Sequence, residues 1–340
     1  MTTPQYQVLV TQRFFDADTQ AYLRAHGCEP VIVDLPAGRS DGDFSEAELT
    51  TLLRGVDGWI VGHAHVTDGL LCGLPRLQVI ARRGVGYDRV DTEAVTRHGK
   101  VATIATGGND ACVADHTIAL MLAVAHRLRE GQLRLTAGDW SIPLGSDLYR
   151  KTVGIIGLGR IGQGVVQRLR GFETRVLVHT RRLDPVWAEA NGVSGVDLPT
   201  LLAQCDVVSL HAPLTPDTRF LIDNRALARM KPGAILINTA RGGLVDDRHL
   251  LAALQAGQLM GAGLDVFASE ADPAFLPVTA ELVALPNVVA TPHAGASTRE
   301  GLARTNQIAA ESIVAVLQGR HPPVASLIAD GRASFSHLGF

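Results

Sequence analysis

The sequence has little excess charge and no long apolar run, and each shortage argues against a class of protein. A formal net charge of −3 at pH 7 does not suit a nucleic-acid partner, which would require a basic surface. No run approaches the roughly 18 apolar residues of a membrane-spanning helix. The first ten residues, MTTPQYQVLV, lack the charged start and apolar core of a signal peptide. We therefore expect a cytoplasmic protein that binds neither nucleic acid nor membrane.

Cysteine is scarce, and the spacing of the cysteines argues against disulfides and metal sites. The four, which are far apart and form no C-x-x-C motif, are Cys28, Cys72, Cys112 and Cys205. This pattern is typical of small buried residues in a reducing compartment. His63 and His65 flank Ala64, but no carboxylate or cysteine completes a ligand set beside them. The sequence therefore predicts no bound metal.

Hydrophobic residues make up 46% of the 340 residues and are arranged in alternating strand and helix patterns. Such alternation predicts parallel sheets covered by helices, so the predicted fold class is α/β with two doubly wound parallel-sheet units. The first unit has predicted strands at 7–10, 31–33, 59–61, 77–81 and 101–105, and helices at 17–27 and 45–54. The second has predicted strands at 153–156, 175–179, 206–210, 234–238, 263–267 and 288–291, and helices near 161–170, 199–204, 224–230 and 247–256.

The stretch KTVGIIGLGRIGQG, residues 151–164, carries the most informative local motif. A short β-branched run is followed by G-x-G-x-x-G and then by helical spacing of apolar residues. In that context Gly157 permits a tight turn, Gly159 lets a pyrophosphate approach the backbone, and Gly162 lets helix and strand pack closely. A glycine-rich turn without a ligand is the alternative. The residues expected to contact a dinucleotide here are Gly157, Gly159, Arg160, Ile161 and Gly162.

The end of the next strand lacks the acidic residue that NAD-binding units usually carry about 20 residues past the glycines. Thr180 stands there, followed by Arg181 and Arg182. Arginine at this place can accommodate a 2′-phosphate, which a carboxylate would repel. We therefore predict that NADP(H) is preferred, with NAD(H) as a second cofactor. In the alternative, both arginines point to solvent and Asp184 replaces the missing acid.

Between the units, residues 109–129 are apolar nearly all round and predict one long buried helix, between domains or in a subunit contact. Residues 133–147 predict a long loop, a length typical of functional segments. A last helix is expected at 299–318, and residues 324–340 are expected to form a partly loose tail.

Several ordered blocks of sequence resemble the D-2-hydroxyacid dehydrogenases, most closely their phosphoglycerate dehydrogenase and hydroxypyruvate–glyoxylate reductase branch. The blocks are RRGVGYDRVD at 82–91, DVVSLHAPLT at 206–215, MKPGAILINTARGGLVD at 230–246, GAGLDVF at 261–267 and TPHAGAST at 291–298. Because the blocks occur in the order and at the spacing of this family, together they indicate the family far more specifically than any single block does.

The resemblance implies a flavodoxin-like substrate domain of residues 1–105 with 294–340, a Rossmann cofactor domain of residues 106–293, a cleft between them, and a homodimer formed through residues 109–147. As an alternative to a substrate contact, His63 and His65 could equally be exposed loop residues. Asp115 stands at a position where the family more often has glutamate. The implied further cofactor contacts are His211, Pro213, Thr218, Thr239, Arg241, Asp265, His293 and Gly295. The implied substrate contacts are His63, Val85, Gly86, Asn109, Arg241 and His293.

Three residues at predicted strand ends carry the chemistry that reduction of a 2-keto acid requires. Arg241 can grip a carboxylate through two parallel hydrogen bonds, and His293 is the natural acid near neutral pH. Glu270 could orient His293 and favour its protonated form. The family has its arginine, glutamate and histidine at these motif positions. Its glutamate usually precedes proline, however, and here Asp272 does so, which leaves Asp272 as an alternative to Glu270.

We therefore expect an NADP(H)-dependent oxidoreductase that interconverts a small 2-keto acid and the D-2-hydroxy acid, with glyoxylate, hydroxypyruvate and phosphohydroxypyruvate as candidate substrates. Two alternatives stay open. One is a nucleotide-sensing interaction protein like the corepressors that resemble this family. The other is a dehydrogenase of an unusual anion such as phosphite, which would use the same arginine and histidine.

Overall fold

A computed structural model describes residues 5–332. Within it the chain divides into two compact α/β units, residues 5–109 with 297–332, and residues 110–296. Each unit contains its own sheet, with buried apolar clusters packed against it.

The first unit alternates strands and helices. Strands β1 to β5 are Tyr6–Val10, Cys28–Ile32, Gly58–Val61, Val79–Arg82 and Val101–Ile104. Helices α1 to α4 are Ala17–Ala25, Glu46–Leu53, Asp68–Cys72 and Thr92–Arg97. α2 begins with a capping box, since the Glu48 N–H donates to Ser45 Oγ and the Ser45 N–H donates to Glu48 Oε2.

The second unit opens with two helices, α5 (Asp110–Ala125) and α6 (Leu128–Thr136). Its strands β6 to β12 are Thr152–Ile156, Arg175–His179, Val193–Gly195, Val207–Leu210, Ala234–Asn238, Leu259–Leu264 and Val288–Ala290. Helices α7 to α12 are Arg160–Leu169, Pro185–Asn191, Leu198–Gln204, Asn224–Arg229, Asp247–Gln255 and Leu276–Ala284. The chain then returns to the first unit with α13 (Arg299–Leu317) and β13 (Leu327–Asp330).

Both sheets have the strand orders of doubly wound folds, so the predicted fold class is confirmed. The first sheet runs β13-β5-β4-β3-β1-β2, parallel except for β13, and the second runs β12-β11-β10-β9-β6-β7-β8, parallel throughout. In the second sheet, strand order reverses between β6 and β9. Ligands bind at the carboxyl ends of the strands beside such a switch point.

The prediction of one helix over residues 109–129 is wrong. α5 ends at Ala125 and α6 follows after a bend of 57°. Arg127 between them has a left-handed φ of 51°, which no helix can continue. α6 also occupies part of the segment predicted as a loop. The apolar surface of α5 is explained inside the second unit, where the helix packs against α7, β10 and β11.

Two strand predictions are displaced, each because of an unusual residue inside the strand. β2 begins at Cys28, not Val31, because Pro30 is tolerated in an edge strand. β11 is Leu259–Leu264, not residues 263–267. Its glycines lie inside the strand because α5 packs against them. A Cβ at Gly261 would lie 2.8 Å from Val124 Cγ1, and one at Gly263 would lie 2.9 Å from Leu120 Cβ.

Six further helices and strands of the described residues were not predicted: α3, α4, α8, α12, β13 and β8, which makes seven strands instead of six in the second sheet. β13 lies in the segment predicted as a loose tail and pairs antiparallel with β5, while residues 333–340 of that prediction lie outside the described residues. Three cysteines are buried, but Cys72 is exposed, contrary to the prediction. No single helix within residues 5–332 is long and apolar enough to cross a membrane, although α5 and α6 taken together pass that test on length and composition.

Candidate active site

The glycine turn after β6 has one open position and two crowded ones. Gly157 has a φ of 94°, and a Cβ there would lie 2.6 Å from the backbone of His211. A Cβ at Gly162 would collide with the carbonyl oxygen of Gly157, whereas one at Gly159 would meet nothing within 4 Å. Gly159 is also the N-cap of α7, and no side chain caps that helix. The uncapped helix start and the open space beside Gly159 fit the pyrophosphate of a dinucleotide.

The end of β7 lies directly beside this turn, since the Gly157 N–H donates to the His179 carbonyl at 2.9 Å. Thr180 is half-buried, and Arg181 and Arg182 are exposed. Arg160 and Ile161 begin α7, with Arg160 exposed and Ile161 half-buried.

Asp184, the possible substitute for the missing acid, serves instead as the N-cap of α8. Its Oδ1 accepts the N–H groups of Val186 and Trp187 at 2.9 and 3.4 Å. Part of the charge of this carboxylate is therefore compensated by the helix that it begins.

The loop after β9 carries His211, Pro213 and Thr218. His211 Nε2 lies 2.9 Å from Ser209 Oγ. Burial lowers the pKa of His211 to about 4, so its imidazole is neutral at neutral pH. Thr218 Oγ1 donates to the Pro213 carbonyl at 2.7 Å and accepts the Thr215 N–H at 2.7 Å, which closes the loop.

Arg241 follows β10 in a turn built by Asn238, a residue that the sequence analysis did not single out. Asn238 Nδ2 donates to the Arg241 carbonyl at 2.8 Å, and Asn238 Oδ1 accepts the Ala240 N–H at 3.1 Å. Thr239 is buried, with its hydroxyl 2.9 Å from that of Thr117 in α5. A polar residue that ends a wholly apolar strand is the signal by which Asn238 could have been found.

Asp265 follows β11 and organises the loop that carries His293. Its carboxylate accepts the Thr291 hydroxyl at 2.6 Å, the Ala294 N–H at 2.7 Å and the Gly295 N–H at 2.9 Å. Burial acts to raise the pKa of Asp265, but hydrogen bonds, first that from His116, outweigh burial and lower it. The ionised carboxylate therefore holds the loop from one side.

His293 has a left-handed φ of 52°, a strained conformation for a side chain of this size. Its N–H donates to the Asp265 carbonyl at 2.8 Å, and its Nδ1 lies 2.7 Å from Glu270 Oε2. About a third of each side chain is exposed. With Nδ1 engaged by a carboxylate, the other ring nitrogen, Nε2, is the one positioned for chemistry.

Of the two candidate carboxylates, Glu270 is the one that contacts His293. Glu270 Oε1 also accepts the Phe267 N–H at 2.9 Å, whereas Asp272 Oδ1 accepts the Ala274 N–H at 3.0 Å and caps a short 3-10 helix, Pro273–Phe275. Burial acts to raise the pKa of Glu270, but the hydrogen bond and charge of His293, together with the Phe267 N–H and the charge of Arg241, outweigh burial and lower the pKa. The pair is therefore an ionised carboxylate against an imidazole.

The remaining predicted substrate contacts belong to the first unit. His63 follows β3, and the buried Asp41 carboxylate accepts its N–H at 2.8 Å. His65 is exposed, and half-buried Val85 and Gly86 follow β4. Asn109 is buried where the first unit ends.

Arg83 fixes the loop that holds Val85 and Gly86. Its guanidinium donates to Gln12 Oε1 at 2.9 Å and to the Arg13 carbonyl at 2.6 Å. Asp115, in the second unit, pairs with Arg168 of α7, which accounts for a carboxylate at that position. Within residues 5–332, no group of three or more His, Cys, Asp or Glu side chains is arranged to hold a metal ion.

Comparison with known proteins gives consistent matches. A family model described as "D-isomer specific 2-hydroxyacid dehydrogenase, NAD binding domain" matches residues 118–295. The D-3-phosphoglycerate dehydrogenase of Mycobacterium leprae (strain TN) is 40% identical over 285 residues, covering 82% of this chain and 53% of that protein. The chain thus spans about half the length of the phosphoglycerate dehydrogenases that it matches.

Two further proteins are matched over most of their length. The glyoxylate reductase of Thermococcus litoralis is 40% identical over 263 residues, covering 75% of this chain and 78% of that protein. The crystal structure of the TT0316 protein from Thermus thermophilus is similar with a TM-score of 0.83 and 39% identity, over 95% of this chain and 100% of that one. The chain therefore belongs to the D-isomer specific 2-hydroxyacid dehydrogenase family.

Proposed function

We propose that this protein is an NADP(H)-dependent oxidoreductase that interconverts a small 2-keto acid and the D-2-hydroxy acid. Glyoxylate, hydroxypyruvate and phosphohydroxypyruvate are the substrates that we would test first. The observation that carries the proposal is the 2.7 Å contact between Glu270 and His293. This contact lies at the carboxyl edge of the second sheet, the edge at which Arg241 also lies. Names of relatives, D-3-phosphoglycerate dehydrogenase and glyoxylate reductase, support acids of this size.

In this proposal each residue of the site has one task. Arg241 binds the substrate carboxylate through two parallel hydrogen bonds and polarises the neighbouring carbonyl. A bound nicotinamide supplies the hydride that reduces the carbonyl carbon. Protonated His293 gives its Nε2 proton to the carbonyl oxygen, and Glu270 holds Nδ1 and stabilises the charged ring. The products are the hydroxy acid, oxidised cofactor and neutral histidine.

The two units divide the binding task in this proposal. The second unit binds the cofactor at its glycine turn. The family resemblance implies substrate contacts from His63, Val85 and Gly86 of the first unit, and these contacts stay predictions. The exact boundaries of the two domains, and the cytoplasmic location, stay predictions.

The preference for NADP(H) is supported by the charges around the end of β7. Threonine stands at position 180 in place of an acid, the Asp184 carboxylate is engaged by α8, and the side chains of Arg181 and Arg182 are exposed. A 2′-phosphate bound there would therefore meet two cations, each able to donate charge-assisted hydrogen bonds to it.

A homodimer formed by the second unit is supported by exposed apolar side chains. Trp140, Ile142 and Leu144 are 82%, 91% and 86% exposed, and Leu128, Leu133 and Leu135 in α6 are also exposed. A monomer rarely exposes this many large apolar side chains within one short segment.

The function is tested by following NADPH oxidation with the three keto acids, and NADP+ reduction with phosphite as the alternative substrate. We expect at least one keto acid to turn over. Arg241→Ala should lower kcat/KM by about 10³-fold or more while changing the Kd of NADPH less than threefold. The control is Arg225→Ala, an exposed arginine of α10, which should behave as wild type. Turnover of phosphite alone, or full activity of Arg241→Ala, would contradict the proposal.

Cofactor preference is tested by kcat/KM with NADPH and NADH. We expect NADPH to be preferred at least tenfold, and Arg181→Ala with Arg182→Ala to remove most of that preference. Thr180→Asp should restore the acid of NAD-binding units and favour NADH. Equal values, or a preference of the wild type for NADH, would overturn this part of the proposal.

A further inference from the structure

Asp247 is a buried carboxylate that the proposed reaction does not use. It is the first residue of α11 and is 2% exposed. The cap of that helix is the preceding residue, because Asp246 Oδ1 accepts the Arg248 N–H at 3.0 Å. Asp247 is therefore not needed as the N-cap, and its burial requires another explanation.

The carboxylate of Asp247 points at the turn that carries Glu270. Asp247 Oδ2 accepts the Ala268 N–H at 3.0 Å. The preceding N–H, that of Phe267, donates to Glu270 Oε1 at 2.9 Å. Two consecutive N–H groups of one turn thus bind two carboxylates, one from α11 and one from the turn itself.

The same turn also packs against the residue that follows Arg241. A Cβ at Gly242 would collide with the backbone of Phe267 and Ala268. The segment that carries Arg241 and the turn that carries Glu270 are therefore in backbone contact, and the hydrogen bond from the Ala268 N–H to Asp247 ties the same turn to the start of α11.

From this geometry we propose that Asp247 is a positioning residue, which fixes the 267–270 turn and thereby the contact between Glu270 and His293. This inference rests on the proposed function, because it assigns Asp247 a task in the protonation step. Asp247 touches neither the substrate nor His293 in this assignment. It acts through the backbone of Ala268 and through its charge beside Glu270.

The charges around Asp247 agree with this role. Burial raises the pKa of Asp247 to about 6, the Ala268 N–H opposes that rise, and the nearby carboxylates of Asp246 and Glu270 add to it. The other charged groups of this helix start are engaged elsewhere. The Arg248 guanidinium lies 4.0 Å from the centre of the Phe275 ring, and His249 Nδ1 lies 3.3 Å from Asp246. Above pH 6 the ionised Asp247 carboxylate therefore adds a second negative charge near Glu270. This charge favours the form of the Glu270–His293 pair in which His293 is protonated.

The test compares Asp247→Asn with Asp247→Ala over a pH series of kcat/KM for keto-acid reduction. Asparagine keeps an oxygen for the Ala268 N–H but loses the charge. We expect its kcat at the optimum to stay within about threefold of wild type, with the alkaline limb moved to lower pH by about half a unit. Alanine loses the acceptor as well, and its kcat should fall about tenfold at every pH. The matched control is Asp223→Asn, because Asp223 accepts the Ala226 N–H at 2.8 Å as the cap of α10.

Asp247→Asn with a wild-type pH profile, or Asp247→Ala with wild-type kcat, would overturn the inference. So would losses of activity that merely follow the loss of folded protein in a thermal melt. Failure of the proposed function gives a different result, since the wild type would then turn over no keto acid. In that case an NMR titration of the His293 ring, assigned with His293→Asn, still tests the coupling. An unchanged titration midpoint in Asp247→Asn would refute it.

Discussion

At the scale of single residues, Asp247 links the candidate site to stability. Its pKa rises from 3.8 to about 6 on folding, so between these values the folded state binds more protons than the unfolded state. The contribution of Asp247 to the free energy of unfolding is therefore most favourable below pH 4 and is lost as the pH rises through 6. Near pH 7 the ionised group costs about 3 kcal/mol. We expect Asp247→Asn to raise the free energy of unfolding at pH 7.5 by about 1–2 kcal/mol, as measured by urea denaturation.

The gain should shrink as the pH approaches 4, because wild-type Asp247 is then protonated and resembles asparagine. Asp223→Asn, the cap of α10, serves as the control and should show no such gain at pH 7.5. If Asp247→Asn were equally destabilised at pH 7.5 and near pH 4, the folded protein would not accommodate the side-chain amide. The ionisation of Asp247 would then not be what lowers the stability of the wild type.

The site residues that could be predicted from the sequence are those that are placed by the end of a single strand. Arg241 and His293 lie shortly after the apolar strands β10 and β12, and the end of an apolar run can be predicted from the sequence. The choice between Glu270 and Asp272 could not be made in this way, because it depends on which carboxylate caps a 3-10 helix and which reaches His293. Asp247 could not be found either, since its partner, the Ala268 N–H, lies 21 residues away.

At the scale of elements, the β6–turn–α7 motif separates packing from ligand binding. Gly162→Ala places a methyl group against the Gly157 carbonyl, so α7 must move away from β6. We expect a loss of about 2–4 kcal/mol in the free energy of unfolding. Gly159→Ala meets nothing within 4 Å and should change that free energy by less than about 1 kcal/mol. Its methyl group would instead occupy the space proposed for the pyrophosphate, and the Kd of NADPH should rise at least tenfold.

Urea denaturation and NADPH fluorescence titration of the two variants measure these effects separately. Gly171→Ala is the control, since a Cβ there also meets nothing within 4 Å but lies beyond the end of α7. It should change neither quantity. Unchanged NADPH binding by Gly159→Ala would place the pyrophosphate somewhere other than this turn.

The elements that the sequence analysis missed differ in whether they are predictable at all. α8 carries ordinary signals, with Asp184 as N-cap, Pro185 at its first position and Gly192 after its end, so it could have been predicted. The break between α5 and α6 carries none, because Arg127 adopts a left-handed conformation without glycine or proline nearby. β11 was displaced because its glycines make room for Leu120 and Val124 of α5, a contact between segments more than 100 residues apart.

At the scale of the whole molecule, the alternation of strands and helices was sufficient to predict two parallel-sheet units. What it could not predict was the place of the last residues. β13 is short and pairs antiparallel with β5 of the first unit. Nothing in four residues of sequence indicates a partner more than 200 positions earlier, since such a pairing depends on which sheet edge is left open when the rest has folded.

The exposed apolar segment of the second unit leads to a prediction about the assembly. Burying Trp140, Ile142 and Leu144 against a second copy would remove the largest exposed apolar side chains of this segment from water. We expect sedimentation equilibrium to give a mass near twice that of the 36.1 kDa chain. The double variant with Trp140→Asp and Ile142→Asp should have the mass of a single chain, because an interface core does not tolerate two unpaired charges. Val324→Asp, at a residue 75% exposed in the first unit, should remain dimeric. A monomeric wild type, or a dimeric double variant, would show that this segment is not the interface.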